Sequence, residues 1–394
     1  MSTTNLRYST LLATLTVAAA ILAQAQQPVR TAAQQYKNIQ VFKDVPASEF
    51  IASMRFLSAS LGVECEFCHT AVRSEDTPGK LKARKMMTMM MDINKANFGG
   101  TQVVTCNTCH NGNHIPVNSP PPTGQYSAEG PGVFYKPSAP LIGATDEPTY
   151  EAYKEYVKKQ QETRAASTPT AEQVLAKYVA ALGGEAAIRR VTSRVITSTV
   201  EMATNVRGAG PATFVQQVQY SKAPNLYAAT QKGFDGALTG KGFDGTAAWN
   251  QAVNGSVTAV AGADLSRAKR AADFYEPLNL QREYLRLEMT GLEKVEGRDT
   301  YVLTGISESD NPETLFFDTQ NGLLLRKAIY NKTPLGNYWI HTTYEDYRDV
   351  GGVKLPFLVR TLSVSPADTV VVRVEKVENN VAIDAARLAR PTRP

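Results

Sequence analysis

The sequence predicts a multidomain chain: a small α-helical module near its start, then an α+β domain built on a large antiparallel sheet. Three observations carry this. Two Cys-x-x-Cys-His motifs, Cys65-Glu66-Phe67-Cys68-His69 and Cys106-Asn107-Thr108-Cys109-His110, lie 41 residues apart, and each follows a stretch of helical character. A Pro- and Gly-rich stretch that includes Pro120-Pro121-Pro122 separates this region from the rest. Beyond it, β-branched and aromatic runs alternate with turn residues, the mark of a sheet rather than of a helix bundle.

From the start, Arg7, an apolar stretch from Leu11 to Leu22 and Ala23-Gln24-Ala25 read as an export signal over residues 1–25. The apolar stretch of about a dozen residues falls short of the roughly 20 that span a bilayer, so no transmembrane anchor is expected after cleavage. No Cys precedes Cys65, so no lipobox exists. The expected location is the periplasm or the extracellular envelope. With 394 residues, 43% hydrophobic and 20% charged, the chain can build two or three globular cores, which excludes disorder and a membrane bundle. The net charge of +5, which falls to about +4 without Arg7, implies no nucleic-acid partner.

Four Cys in an exported chain would ordinarily suggest two disulfides, and two Cys-x-x-Cys pairs a tetrathiolate zinc site. Here each pair is followed at once by His, although the chain has only four His: His69, His110, His114 and His341. A zinc site needs no His there. Covalent haem does: two thiols form thioethers with the porphyrin, and the adjacent imidazole lies under the iron. The reading is two c-type haems, on Cys65 and Cys68 with proximal His69, and on Cys106 and Cys109 with proximal His110. Up to four propionates would bring the holoprotein close to neutral, so any docking field must be local.

The ligand on the other side of each iron separates electron carriers from catalysts. Ser48 to Leu61 reads as a helix capped by Ser48 and carrying Met54. Lys80 to Asn97 reads as a second, starting after Pro78-Gly79 and carrying Met86, Met87, Met89, Met90 and Met91. Helical spacing puts Met86, Met89 and Met90 on one face and Met87 and Met91 on a neighbouring one. Most of these thioethers are packing material, and Cu(I) binding by the run is an alternative. His114 is an alternative distal ligand or a polar residue of an exit loop. His341 lies in a strand-like run and reads as structural. Lys80, Lys82, Arg84 and Lys85 read as a solvated face, or as a dock for an acidic partner.

At this point the residues resemble a family, the cytochrome c subunit of photosynthetic reaction centres, over roughly residues 41–116. Glu49-Phe50-Ile51-Ala52-Ser53-Met54 is similar to that family's helix leading to its first haem. Lys85-Met86 with Asp92-Ile93-Asn94 is similar to its second helix, and Val104-Thr105-Cys106-Asn107-Thr108-Cys109-His110 to its second attachment site. The resemblance implies Met54 as distal ligand for the haem at His69, and Met86 for the haem at His110. Only two of the family's four attachment sites are present, so a photosynthetic role does not follow, and a respiratory or extracellular route is open. The module, residues 36–117, is too short for an ample core, and two porphyrins would supplement it. Its motif spacing leaves room for a single unit with neighbouring haems and fast exchange between them.

Residues 118–148 read as a linker, 149–167 as a connecting helix, and 168–394 as the sheet domain. Thr170 to Arg190 looks like an amphipathic helix with Val174, Leu175, Tyr178, Val179 and Leu182, ending at Gly183-Gly184. Strands are expected at Thr213–Tyr220, Thr300–Gly305, Leu323–Tyr330, Tyr338–Tyr347, Val353–Ser363 and Thr369–Val377, with Ala263–Leu287 partly helical. Lys232-Gly233-Phe234-Asp235-Gly236 recurs at Lys241 to Gly245, which reads as two turns. Ala181-Leu182-Gly183-Gly184, Gly242-Phe243-Asp244-Gly245 and Trp249 resemble the lipoprotein-carrier (LolA-like) half-barrel, which implies a hydrophobic ligand or an envelope protein as partner. No nucleophile, carboxylate pair or metal constellation is evident there.

The reading is a dihaem electron carrier between redox protein partners, not an enzyme. Its alternatives are a dihaem enzyme such as a peroxidase with one open iron position, and an envelope lipid- or lipoprotein-binding protein with a redox module.

Overall fold

A computed structural model describes residues 30–116, 169–202, 213–233, 236, 238–306, 312–364 and 369–391. The expected signal peptide, the linker and the connecting helix lie outside these residues.

The N-terminal region is helical. Helix α1 (Ala32–Gln35) is short, with Thr31 and Gln34 forming a reciprocal capping box. Helix α2 (Ala47–Leu61) begins one residue before Ser48, which therefore sits inside the first turn and not at the cap. Helix α3 (Pro78–Phe98) starts two residues earlier than expected, because Thr77 accepts from the Lys80 amide and Pro78 takes the first helical position, where its missing N–H costs nothing. It ends at Gly99, whose φ of 60° is the left-handed stop that glycine tolerates. Helix α4 (Cys106–His110) is a turn and a half.

The Cα positions group into two compact units. One holds the described residues up to Ser58, Glu64–Thr105 and the loop Thr333–Gly336; the other holds Ala59–Val63, Cys106–Lys332 and Asn337 onward.

In the second unit, α5 (Ala171–Ala181) and α6 (Glu185–Arg190) divide at Gly183-Gly184, both at positive φ. Strands β1 (Ser193–Met202), β2 (Thr213–Lys222), β3 (Leu226–Lys232), β4 (Leu238–Asp244), β5 (Ala248–Gln251) and β6 (Val257–Ala259) form one antiparallel run. Helices α7 (Gly262–Ala272) and α8 (Glu276–Asn279) follow. Then come β7 (Arg286–Val295), β8 (Arg298–Ile306), β9 (Pro312–Asp318), β10 (Leu324–Asn331), β11 (Tyr338–Val350), β12 (Val353–Leu362) and β13 (Val370–Asn379), and last α9 (Ala385–Leu388). The thirteen strands make one open sheet in the order β6-β5-β4-β3-β2-β1-β13-β12-β11-β10-β9-β8-β7. Every neighbouring pair is antiparallel, and the two runs join where β1 pairs with β13. Register shifts at Thr197/Ser198, Met289/Gly291 and Leu324/Arg326 add local twist.

Helices α5 to α8 lie on one face of this sheet, and α9 packs on the other, where Leu388 joins Ala228 and Trp249. Val174, Leu175 and Tyr178 of α5 and Ile188 of α6 pack with Leu280, Leu303, Leu315 and Phe317 in the main core. The expected six strands all fall on observed ones, and seven more are present among the described residues. The second copy of the repeat is not a turn: Lys241 to Asp244 ends β4, with Phe243 buried. A Cβ at Gly242 would meet the indole of Trp249, which lies opposite it on β5, so glycine here makes room for the ring. Arg286 and Leu287, expected at the tail of a helix, open β7.

Candidate functional site

Each Cys-x-x-Cys-His motif folds into a helical turn, and that explains its spacing. Cys65–Phe67 is a 3-10 turn, closed by the Cys68 amide donating to the Cys65 carbonyl at 3.3 Å and the His69 amide donating to the same carbonyl at 3.0 Å. In α4 the second motif is helical throughout. Positions i, i+3 and i+4 share a helix face, so both thiols and the imidazole of a motif fall on one side.

The thiols are free. None of the four Cys is in a disulfide, and burial raises Cys106 to about 11 and moves Cys68 in the same direction. Among the described residues no group of three or more His, Cys, Asp and Glu is placed to hold a metal ion. The zinc and disulfide readings of the motifs are therefore not assembled.

The imidazoles suit an axial role. His110 Nδ1 lies 2.8 Å from the Asn113 carbonyl oxygen. A carbonyl only accepts, so Nδ1 carries the proton and Nε2 keeps its lone pair for a metal. His69 has its Nδ1 buried without a hydrogen-bond partner. Burial, with Lys80 and Arg73 nearby, lowers its pKa and favours the neutral ring that binds iron. Apolar side chains also stand open beside the motifs: Phe67 and Val72 are each 53% exposed and Ile115 68%. A porphyrin is the kind of apolar body that such side chains would cover, so these residues fit a haem.

The candidate distal ligands lie on the preceding helices. Met54 is half-buried on α2, and Met86 is exposed on α3. The facing of the Met run differs from expectation: Met87 and Met90 are buried together with Asn94, while Met86, Met89 and Met91 are exposed. Spacings of three and four residues put 87, 90 and 94 on the packed side, and the polar Asn94 is the member that a count of thioethers passes over. His114 is exposed in the loop after α4. His341 lies on β11, half-buried, with its pKa lowered by burial and by Arg326.

The basic cluster on α3 divides in two. Lys80 Nζ donates to the Arg73 and Glu75 carbonyls at 2.8 and 2.9 Å, and Arg84 pairs with Asp76 at 2.9 Å. Both cations thus brace the loop after the first motif, and only Lys82 and Lys85 keep the solvated reading.

Sequence reasoning missed the residues that fix the motifs in place. Thr77 Oγ1 donates to the Cys68 carbonyl at 2.6 Å while capping α3. Gly79 faces Cys68 so closely that a Cβ there would lie 3.0 Å from the Phe67 carbonyl oxygen. The Asn94 carboxamide accepts from the Val103 and Val104 amides and donates to the Val104 carbonyl, just before the second motif. After that motif, the Gly112 amide donates to the Ser60 carbonyl at 2.8 Å, and Gly62, at φ 62°, leaves room for the Gly112 carbonyl. The Thr77-Pro78-Gly79 and Asn111-Gly112 signatures of these sites were legible as turns, but not their partners.

Residues 2–179 match the family of the photosynthetic reaction centre cytochrome C subunit. Among individual relatives, the reaction centre cytochrome c subunit of Thermochromatium tepidum is 32% identical over 114 residues, covering 25% of this chain and 28% of that protein. Cytochrome c-554 of Chloroflexus aurantiacus is 32% identical over 127 residues, 29% of this chain and 28% of that protein. The chain thus spans little more than a quarter of the length of these relatives. Its N-terminal part resembles electron-transfer cytochromes, and that resemblance implies haem. Solved structures align with the sheet region. A LolA superfamily protein from Nitrosomonas europaea covers 56% of this chain and 98% of its own, at 14% identity and a TM-score of 0.40. A lipoprotein-sorting domain from Vibrio parahaemolyticus covers 49% and 87%, at 10% identity and 0.37. No helix among the described residues is long and apolar enough to cross a membrane.

Proposed function

We propose that this chain is an exported dihaem c-type cytochrome that passes electrons between redox protein partners in the periplasm or extracellular envelope. The observation that carries it is the pair of Cys-x-x-Cys-His turns, each with free thiols and an imidazole on one face. Haem supplies a one-electron couple to the site when bound. Cys65 and Cys68 hold one group and Cys106 and Cys109 the other, with His69 and His110 as proximal ligands. The Asn113 carbonyl keeps the His110 tautomer. Met54 and Met86 are the distal ligands, with His114 as the alternative on the second site. Thioether ligation favours a higher potential than a second imidazole, as suits a carrier.

The test is optical and redox spectroscopy of the purified holoprotein. Two thioether-linked haems per chain and a sulfur-to-iron charge-transfer band are expected. Met54→Ala and Met86→Ala should each remove about half of that band. If both variants keep it whole, the distal assignment fails; resting high-spin iron with rapid peroxide turnover would favour a redox enzyme instead.

A further inference from the structure

The loop Thr333–Gly336, between β10 and β11 in the chain, groups with the N-terminal helices. One side chain closes it: Thr333 Oγ1 donates to the Gly336 carbonyl at 2.5 Å and accepts from the Leu335 and Gly336 amides at 3.3 and 3.2 Å. A threonine hydroxyl used in this way holds a turn without a sheet ladder. Leu335 is 0% exposed and Thr333 6%. A buried loop with satisfied polar groups is a fixed part of a core, unlike an ordinary surface connection.

Two anchors tie the loop to the N-terminal region. Gly336 lies so close to the ring of Phe56 on α2 that a Cβ there would run into it. Phe56 is itself buried, so its ring cannot yield cheaply. The Pro334 carbonyl accepts from Gln102 Nε2 at 2.5 Å, between residues 232 apart in the chain. Gln102 adjoins Val103 and Val104, whose amides are held by Asn94 of α3. The loop thus joins α2 to a segment that the end of α3 fixes, while the start of α3 braces the first motif through Thr77.

Helix α2 buries Ser53 and Phe56, which are three residues apart and share a face. Met54 stands about 200° around the helix from Phe56, at roughly 100° per residue. An iron closed by His69 and Met54 needs both ligands at a fixed span, yet they come from different elements. A shift of α2 against the loop moves Met54 by the same amount, and a ligand set tolerates only about 0.5 Å. We propose that the Thr333–Gly336 loop is a positioning element for the first haem: through Gly336 and Phe56 it sets the stand of α2 and so keeps Met54 within reach of the iron. This role rests on the assignment of Met54 as distal ligand.

Full-length holoprotein carrying Gly336→Ala tests it, read by haem content, the sulfur-to-iron charge-transfer band and midpoint potentials from spectroelectrochemistry. Haem content should stay at two per chain. The band should lose at least half of the part that Met54→Ala removes, and one couple should fall, because thioether ligation raises the potential. Added to Met54→Ala, the loop substitution should cause no further loss. Phe56→Leu, which makes room for the new methyl group, should restore most of the band in the Gly336→Ala chain. A full band with unmoved potentials and only a lower stability in urea would show a purely structural loop and overturn the proposal; so would a loss that Phe56→Leu leaves unrepaired. Should Gly336→Ala fail to fold, Gln102→Ala, which only releases the Pro334 carbonyl, must lower the same couple, and an unchanged couple then counts against the loop. A band left whole by Met54→Ala sinks the distal assignment and the positioning role with it, whereas a band reduced in Met54→Ala and kept in Gly336→Ala sinks the positioning role alone.

Discussion

Asn94 shows how a single buried polar side chain organises its surroundings. It is only 5% exposed, and its carboxamide satisfies two amides and one carbonyl of the strand-like approach to the second motif. Asn94→Ala leaves those groups buried without partners and should cost about 2 to 4 kcal/mol, read as a lower urea midpoint of the holoprotein. Asn94→Asp, which keeps an acceptor for both amides but loses the donor, should recover part of it. Glu283 makes a different residue-scale prediction. Desolvation first, and then the neighbouring Glu276, raise its pKa to about 8, and neither carboxylate oxygen has a hydrogen-bond partner. Between the usual carboxylate range and pH 8 the folded chain holds a proton that the unfolded chain has released. Its contribution to stability is therefore lost as pH rises through that window, and no penalty applies below it. Glu283→Gln should flatten this part of the profile, so the variant gains on the wild type between pH 5 and pH 8 in paired urea titrations. A constant difference across that range would sink the idea.

At the scale of the element, helix α3 is the main brace of the N-terminal region. Its first turn is tied to the first motif through Thr77 and Gly79, and its last two turns hold the approach to the second through Asn94. Thr77→Ala removes the cap and also orphans the Cys68 carbonyl. It should destabilise the holoprotein by about 1 to 2 kcal/mol, whereas Thr77→Ser should be close to neutral. The exposed Met86, Met89 and Met91 on this helix have no packing role comparable with that of Met87 and Met90. Met89→Leu should accordingly leave the charge-transfer band and the stability near wild type. Within the sheet domain, the break between α5 and α6 at Gly183 has a steric cause: at φ 118° a side chain would run into the Gly352 carbonyl. The sequence marks the stop at Gly183-Gly184, and the β11 to β12 turn supplies the steric reason for glycine there.

At the scale of the whole molecule, the helical segment and the sheet domain differ in what stabilises them. The sheet domain buries a contiguous apolar core from Val174 to Val353. The described helical segment instead leaves Ile51, Phe67, Val72, Leu81, Phe98 and Val103 exposed. Chain produced without haem attachment should therefore keep a protease-resistant sheet domain while residues 30–116 are digested. Fully loaded chain should protect both. Equal resistance of the two segments in the haem-free chain would show that the helical part has an adequate core of its own.

The motifs were legible because their chemistry is local: two thiols and an imidazole need little more than one helical turn, which five residues of sequence supply. The helices before them were legible for the same reason, through periodicity and punctuation. Six strands announced themselves by β-branched runs. Others did not, because β4 is rich in glycine and β9 opens with a proline, and their strand character rests on neighbours such as Trp249 and Phe317 that arrive from other parts of the chain. The sequence by itself determined the attachment chemistry, the division into a helical and a sheet region, and the pool of distal thioethers. Tertiary structure alone decided which Met side chains are packed and that Lys80 and Arg84 are braces. Each of these depends on how side chains meet across turns and between elements, and the spacing of residues along one helix carries no information about that.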